Sequence, residues 1–94
     1  MKHYILAKFK PDVAEKNTVF KEIRELFSEA TQISGVTGIN IYENCIQRAN
    51  RYDVMIVLEM DREALSHWDE SEIHRKWKAN FHALLEKKAI FDAE

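Results

Sequence analysis

Residues 52–60 read YDVMIVLEM, and apolar side chains fall on both faces of the strand that this alternation predicts. Val54 and Ile56 share one face, while Met55 and Val57 lie on the other. A strand with one face in water would alternate more cleanly between apolar and polar residues. The pattern therefore predicts a sheet that is covered on both faces.

The N-terminal stretch KHYILAKFK, residues 2–10, shows the same two-faced pattern and predicts a first strand over 2–9. His3 is in phase with Ile5, whereas Tyr4 and Leu6 point the other way. A histidine at this position is therefore expected on the same side of the sheet as the apolar core.

A first helix is predicted between the first strand and a second strand at 36–43. Asp12 with Glu15 three residues later resembles a capping box, and an apolar stripe at helical spacing follows. Gly35 is suited to end the helix in a left-handed conformation. The polar stretch 44–50 predicts the connection to the next strand.

Two more helices and a fourth strand complete the chain. Asp61 is a candidate cap for a short helix that carries Trp68, and Asp69 is a candidate cap for a longer one. The segment KAIFD, residues 88–92, predicts a closing strand. The order βαββαβ indicates a ferredoxin-like α+β fold, with one four-stranded antiparallel sheet carrying its helices on one face.

The other face of the sheet needs a cover of its own. Burying an apolar side chain of this size stabilises a fold by about 1.5–3 kcal/mol. A second copy stacked sheet to sheet supplies that cover most simply, so we predict a homodimer through the sheet face, which forms a dimeric α/β barrel.

Composition limits the class of protein. The 94 residues suit a single domain spanning 1–94, and 46% hydrophobic with 32% charged residues is typical of a folded chain. A net charge of −2 gives no basic surface for nucleic acid. Neither a membrane-spanning stretch nor a signal peptide is recognisable, and Cys45 is the single cysteine, so a cytoplasmic location is expected.

No metal or cofactor is expected from the histidine spacing. His67, His74 and His82 lie seven and eight residues apart, and eight residues of helix rise about 12 Å, too far for one ion. Cys45 has no neighbouring cysteine with which to form a ligand pair.

Four segments together resemble the stress-responsive A/B barrel (Dabb) family. They are KHYILAKFK at 2–10, RYDVMIVLEM at 51–60, LSHWDESEIHRKW at 65–77 and IFD at 90–92. The resemblance implies a dimeric α/β barrel. Most members of the family have no assigned role, while some plant members are polyketide cyclases that close an aromatic ring by aldol chemistry.

The resemblance to those cyclases also implies two site histidines. One opens the first strand and corresponds to His3, and the other follows the short helix and corresponds to His74. The family motif His-Pro-x-His reads Ser-Glu-Ile-His at 71–74, so only its last histidine is present. Trp68 stands where the cyclases supply a tyrosine hydroxyl.

The residues themselves allow two interpretations of the histidines, either packing with hydrogen bonds to backbone or to Tyr and Asp neighbours, or lining a cavity between the sheet and the helices, and the resemblance favours the cavity. His74, Trp77 and Phe81 form one helical stripe, so His74 should face the sheet and meet His3. Imidazole titrates near neutrality, which suits a pair of acid/base groups. The tentative catalytic residues are His3 and His74, and the tentative substrate-binding residues are Ile5, Phe27, Trp68, Trp77 and Phe81.

The leading hypothesis is a dimeric barrel protein that binds a small hydrophobic or phenolic molecule. One alternative is a cyclase-like or lyase-like acid/base enzyme, and another is a stress-associated structural dimer with packed histidines. A further alternative is a monooxygenase of the antibiotic-biosynthesis or haem-degrading type. Those enzymes also carry a tryptophan after the third strand, but Lys78 occupies the position of the haem ligand here.

Overall fold

The computed structural model describes all residues from Met1 to Glu94 and has the predicted βαββαβ order. The strands form one antiparallel sheet in the order β2-β3-β1-β4, which is the ferredoxin-like arrangement. None of the helices is long and apolar enough to cross a bilayer. The elements are β1 (Lys2–Phe9), α1 (Lys16–Phe27), β2 (Val36–Glu43), β3 (Val54–Met60), α2 (Ala64–Asp69), α3 (Glu72–Phe81) and β4 (Leu85–Ala93), with 3₁₀ turns at Ala30–Gln32 and His82–Leu84.

The hydrophobic core lies between the helices and one face of the sheet. Alternate residues of β1 are buried, starting with His3 and Ile5, because strand side chains alternate between the two faces. The helices contribute large side chains that are almost fully buried, namely Phe27, Trp68 and Trp77. His3 therefore lies on the helix-facing side of the sheet, as predicted.

The opposite side, here called the open face, is rich in apolar side chains that no helix covers. Phe91 is 63% exposed and Tyr42 is 54% exposed. The register places Phe91 opposite Tyr4 and places Leu6 opposite Met55, so these side chains share one face of three neighbouring strands. Charged residues lie at the ends of this surface, namely Lys2, Lys8, Glu59 and Lys87.

The helices begin elsewhere than the capping signals indicate. Asp12 lies in a tight turn in which the Val13 N–H donates to the Lys10 carbonyl, so α1 begins only at Lys16 and no side chain caps it. The prediction of a capping box at Asp12 was wrong.

The caps of the two shorter helices also differ from the prediction. Ser71, rather than Asp69, caps α3, because its Oγ accepts the backbone N–H of His74. No side chain caps α2. The backbone carbonyl of Asp61 instead accepts a hydrogen bond from the Ala64 N–H at the start of this helix. Both predicted aspartate caps were wrong, since the serine hydroxyl and a backbone turn satisfy these helix starts instead.

The last strand is longer than the segment KAIFD. β4 pairs with β1 from Lys2 opposite Ala93 to Phe9 opposite Leu85, with an irregularity between Lys8 and Phe9. Leu85 is the first residue of this strand. Because β4 pairs with β1 along its whole length, a residue near the end of β4 lies opposite His3.

Gly35 has the one backbone conformation that demands glycine, with φ at +85°. A Cβ added there would lie 2.6 Å from the Cβ of Ala64, whereas at Gly38 it would meet the mobile carboxylate of Glu59. We expect Gly35→Ala to lower the free energy of unfolding by at least about 2 kcal/mol, from left-handed strain and the collision. Gly38→Ala should change it by less than about 1 kcal/mol. Urea denaturation at one protein concentration compares them, and equal losses would contradict this account.

Candidate functional site

A carboxylate on β4 fixes the ring of His3. Nδ1 of His3 lies 2.5 Å from Oδ1 of Asp92, and the two residues face each other in the β1–β4 register. A carboxylate only accepts hydrogen bonds, so Nδ1 carries the hydrogen and donates it. Neutral His3 therefore has a free electron pair on Nε2, which has no protein partner.

The ring of His74 has the same tautomer for a different reason. Its Nδ1 lies 2.8 Å from the backbone carbonyl of Asp69, which can only accept. Ser71 holds the backbone of His74 at the first turn of α3, because its hydroxyl accepts the His74 N–H at 3.1 Å. Nε2 of His74 is likewise without a protein partner.

The ring of Trp68 is close to both histidines. Its ring centroid is 4.9 Å from that of His74 and 6.3 Å from that of His3. Only 1% of Trp68 is exposed, and the ring of Phe27 packs behind it with centroids 5.6 Å apart. The indole is thus a fixed wall that sets the positions of both imidazoles.

These side chains surround a cavity of about 260 Å³, here called the histidine cavity. No buried side-chain nitrogen or oxygen lacks a hydrogen-bond partner, so the unpartnered Nε2 of His3 must reach accessible space. The cavity is apolar on one part of its wall and polar on another. Its lining consists of His3, Ile5, Leu65, Trp68, Asp69, His74, Trp77, Lys88, Ile90 and Asp92.

Most of the residues predicted for a site meet at this cavity. The lining includes His3, His74, Ile5, Trp68 and Trp77. The structure places the other two in the core that supports the wall. Phe27 packs against both tryptophans, and Phe81 stacks on Trp77 with ring centroids 5.5 Å apart.

Sequence reasoning missed Asp92 and Lys88, which line the cavity from β4. The signal for Asp92 was its phase, because a residue two positions from Ile90 lies on the same face of the strand. Asp92 is then found opposite His3 once the antiparallel register is known. The missing information was the register itself, because the full length of β4 was not apparent in KAIFD.

A second polar contact lies beside the cavity. Nζ of Lys88 is 3.3 Å from Nε2 of His82. Burial lowers the pKa of His82, and the positive charges of Lys88 and Lys78 lower it further. Burial, followed by the charge of Lys78, also lowers the pKa of Lys88. The contact is therefore one in which the amine of Lys88 donates to a neutral imidazole.

Other surfaces have fewer side chains suited to acid/base chemistry. A cavity of about 330 Å³ on the open face is lined mainly by apolar and amide side chains, with one carboxylate, Glu43, and one cation, Arg51. No three histidine, cysteine or carboxylate side chains converge in a way that could hold a metal ion. The histidine cavity is the place where imidazole groups and an apolar wall occur together.

Removing the carboxylate of Asp92 should weaken the fold as well as the site. Asp92→Ala leaves the buried Nδ1–H of His3 without its acceptor, so we expect a loss of about 1–3 kcal/mol in the free energy of unfolding. Glu94→Ala removes the same charge from an exposed pair with Arg62 and should cost under about 1 kcal/mol. Chemical denaturation measures both losses. Equal losses would show that the His3–Asp92 contact stabilises the fold no more than an exposed ion pair does.

A sequence model described as the stress-responsive A/B barrel domain, Dabb, matches residues 1–94. The chain belongs to the Dabb family. The resemblance seen in its four segments is thereby confirmed. No curated protein matches the sequence.

Solved structures similar to this Dabb domain share its ferredoxin-like fold. A dimeric protein of unknown function from Bacteroides fragilis matches with a TM-score of 0.83 and 21% identity, over 99% of this chain and 93% of that one. A Dabb family protein from Mesorhizobium loti matches with a TM-score of 0.73 and 15% identity, over 99% and 93%. A hydroxynitrile lyase from Passiflora edulis matches with a TM-score of 0.73 and 11% identity, over 96% and 87%. At these identities the likeness establishes the fold alone.

Proposed function

We propose that this Dabb domain binds a small hydrophobic or phenolic molecule in the histidine cavity. The supporting observation is that two imidazoles, His3 and His74, each keep an unpartnered Nε2 beside an apolar wall. A phenol would donate its O–H to such a nitrogen while its ring packs against Trp68. The volume of about 260 Å³ is slightly below the roughly 300 Å³ at which the range for drug-sized ligands begins, so it suits a molecule of one or two rings.

We also propose that two copies associate through the open face, forming the dimeric barrel. The support is the exposed apolar surface around Phe91 and Tyr42, together with the similar proteins that are described as dimeric. A chain of this length gains much of its missing burial by such association. A reducing compartment such as the cytoplasm fits the exposed thiol of Cys45.

Proton transfer at a carbonyl-activated carbon is a second candidate function. It is favoured by the matched tautomers, because each neutral Nε2 can take a proton and return it. The hydroxynitrile lyase from Passiflora edulis indicates that this fold can carry enzymes. Trp68 offers no hydroxyl to assist, so proton transfer would depend on the histidines and on Asp92, which is bonded to His3.

A thermal-shift screen with phenols, polyketide-like diketones and quinones tests the binding proposal. Wild type is compared with His74→Ala and with His67→Ala, which removes a histidine that also contacts a backbone carbonyl but does not line the cavity. A ligand at a hundred times its Kd adds about 2.7 kcal/mol of stability. We expect that shift in wild type and His67→Ala and its loss in His74→Ala. Flat traces, or an equal shift in all three proteins, would overturn the proposal.

A further inference from the structure

Lys88 is the single lysine or arginine that lines the histidine cavity. It stands on β4 opposite Ala7, on the same face as Ile90 and Asp92. No carboxylate lies within ion-pair distance of its amine, whose partner is the imidazole of His82 at 3.3 Å. Lys88 is an exposed residue, and its amine contacts a neutral base rather than an acid.

We propose that Lys88 is a nucleophilic amine that forms an imine with a small hydrophobic aldehyde or ketone bound in the histidine cavity. The inference rests on the proposed ligand-binding function, and it specifies the reactive class of ligand. Ile90 and Trp68 would hold the apolar part of such a compound, while its carbonyl group points toward the polar part of the wall.

The surroundings of Lys88 favour its uncharged form. Burial removes part of the hydration of the ammonium, and Lys78 from α3 adds a like charge, so the pKa of Lys88 is lowered. No carboxylate opposes this shift, because the neighbouring His82 is a neutral imidazole and Glu86 on the same strand is directed to Lys8. Of the two acids on the cavity wall, Asp92 is bonded to His3. An amine with a lowered pKa attacks carbonyl carbon near neutral pH, which is how reactive lysines are activated in proteins.

The reaction needs no oxidant or reductant. The nitrogen lone pair forms a bond to the carbonyl carbon, the C–O π electrons move to oxygen, and a proton passes from nitrogen to oxygen to give a carbinolamine. The hydroxyl then takes up a proton and leaves as water, the nitrogen lone pair forms the C=N double bond, and the nitrogen loses its remaining proton to give the neutral imine. The unpartnered Nε2 atoms of His3 and His74 are on the same wall and can carry these protons.

Reductive trapping tests the inference. Wild type is incubated near neutral pH with benzaldehyde and sodium cyanoborohydride, which reduces an imine to a stable benzylamine, and labelled peptides are quantified by mass spectrometry. Lys87 is the internal control, because it is the adjacent lysine on the opposite face, with its amine over the Tyr52 ring. We expect labelling at Lys88 to be several-fold faster than at Lys87, because the lowered pKa of Lys88 leaves more of its amine uncharged near neutral pH.

Two variants complete the test. Lys88→Arg keeps the charge but cannot form an imine, so rapid labelling should vanish, whereas Lys87→Arg should retain it. Melting temperatures within a few degrees of wild type establish that both variants fold. Labelling spread evenly over the lysines, or unchanged in Lys88→Arg, would overturn the inference. If that occurs while a His74-dependent thermal shift persists, ligand binding stands and only the imine chemistry fails.

Discussion

Trp68→Ala is expected to lower the free energy of unfolding by about 3–5 kcal/mol, a large part of the total stability of a small domain. Trp68 is 1% exposed and contacts His3, Phe27 and His74 by its ring. Its loss leaves a void that the two layers cannot close, because β1 on one side and α3 on the other are fixed by their own pairing and packing.

Urea denaturation at a fixed protein concentration measures this effect, since unfolding of a dimer depends on concentration. Trp68→Phe is the matched control, because a phenyl ring keeps much of the contact and should recover more than half of the loss. The affinity for the ligand should follow the same order, with wild type binding most tightly, Trp68→Phe less tightly and Trp68→Ala most weakly. A loss below about 1 kcal/mol in Trp68→Ala would mean that the indole does not support the cavity wall.

Phe91→Glu is expected to dissociate the proposed dimer at micromolar concentration. Phe91 is the most exposed of the large apolar side chains and lies on the open face beside Tyr4, with ring centroids 6.3 Å apart. A two-fold interface would bury two unpaired carboxylates at once, each at a cost of several kcal/mol. The Kd of the dimer should therefore rise at least about a hundredfold, which corresponds to 2.7 kcal/mol.

Analytical ultracentrifugation over a range of concentrations measures this change. Ile46→Glu adds the same charge at another exposed apolar residue, one that lies outside the strands, and should leave association unchanged. A wild-type protein that is monomeric at these concentrations would contradict the open-face interface. An equal effect of the two substitutions would indicate that added charge, rather than this surface, governs association.

The strands and their order along the chain were predictable, because each strand is identified by an alternation pattern within its own short segment. Alternation over 2–9 and 52–60 identified β1 and β3, and the two-faced pattern indicated a second covered surface. The helix starts were less predictable, because several Asp and Ser residues compete for each start and tertiary contacts select among them. Asp12, Asp61 and Asp69 all had the right residue type, but none of their side chains caps a helix.

Some residues of the candidate site were predictable, because their position within a single strand or helix was enough to show which way they face. His3 and His74 needed only strand and helix periodicity to be placed on facing surfaces. Asp92 and Lys88 needed the register between strands that are over eighty residues apart in sequence, which no local pattern contains. The tautomers of the histidines depend on backbone and carboxylate partners and were likewise beyond sequence reasoning.

The central claim is that His3 and His74 share one ligand cavity, and histidine NMR tests it most directly. The protein is labelled with ¹⁵N in its four histidines and titrated with the phenol that gives the largest thermal shift. We predict that the Nε2 signals of His3 and His74 move together and saturate at the same concentration, while His67 stays in place. Movement of only one of the pair, or of His67 alone, would contradict a shared cavity.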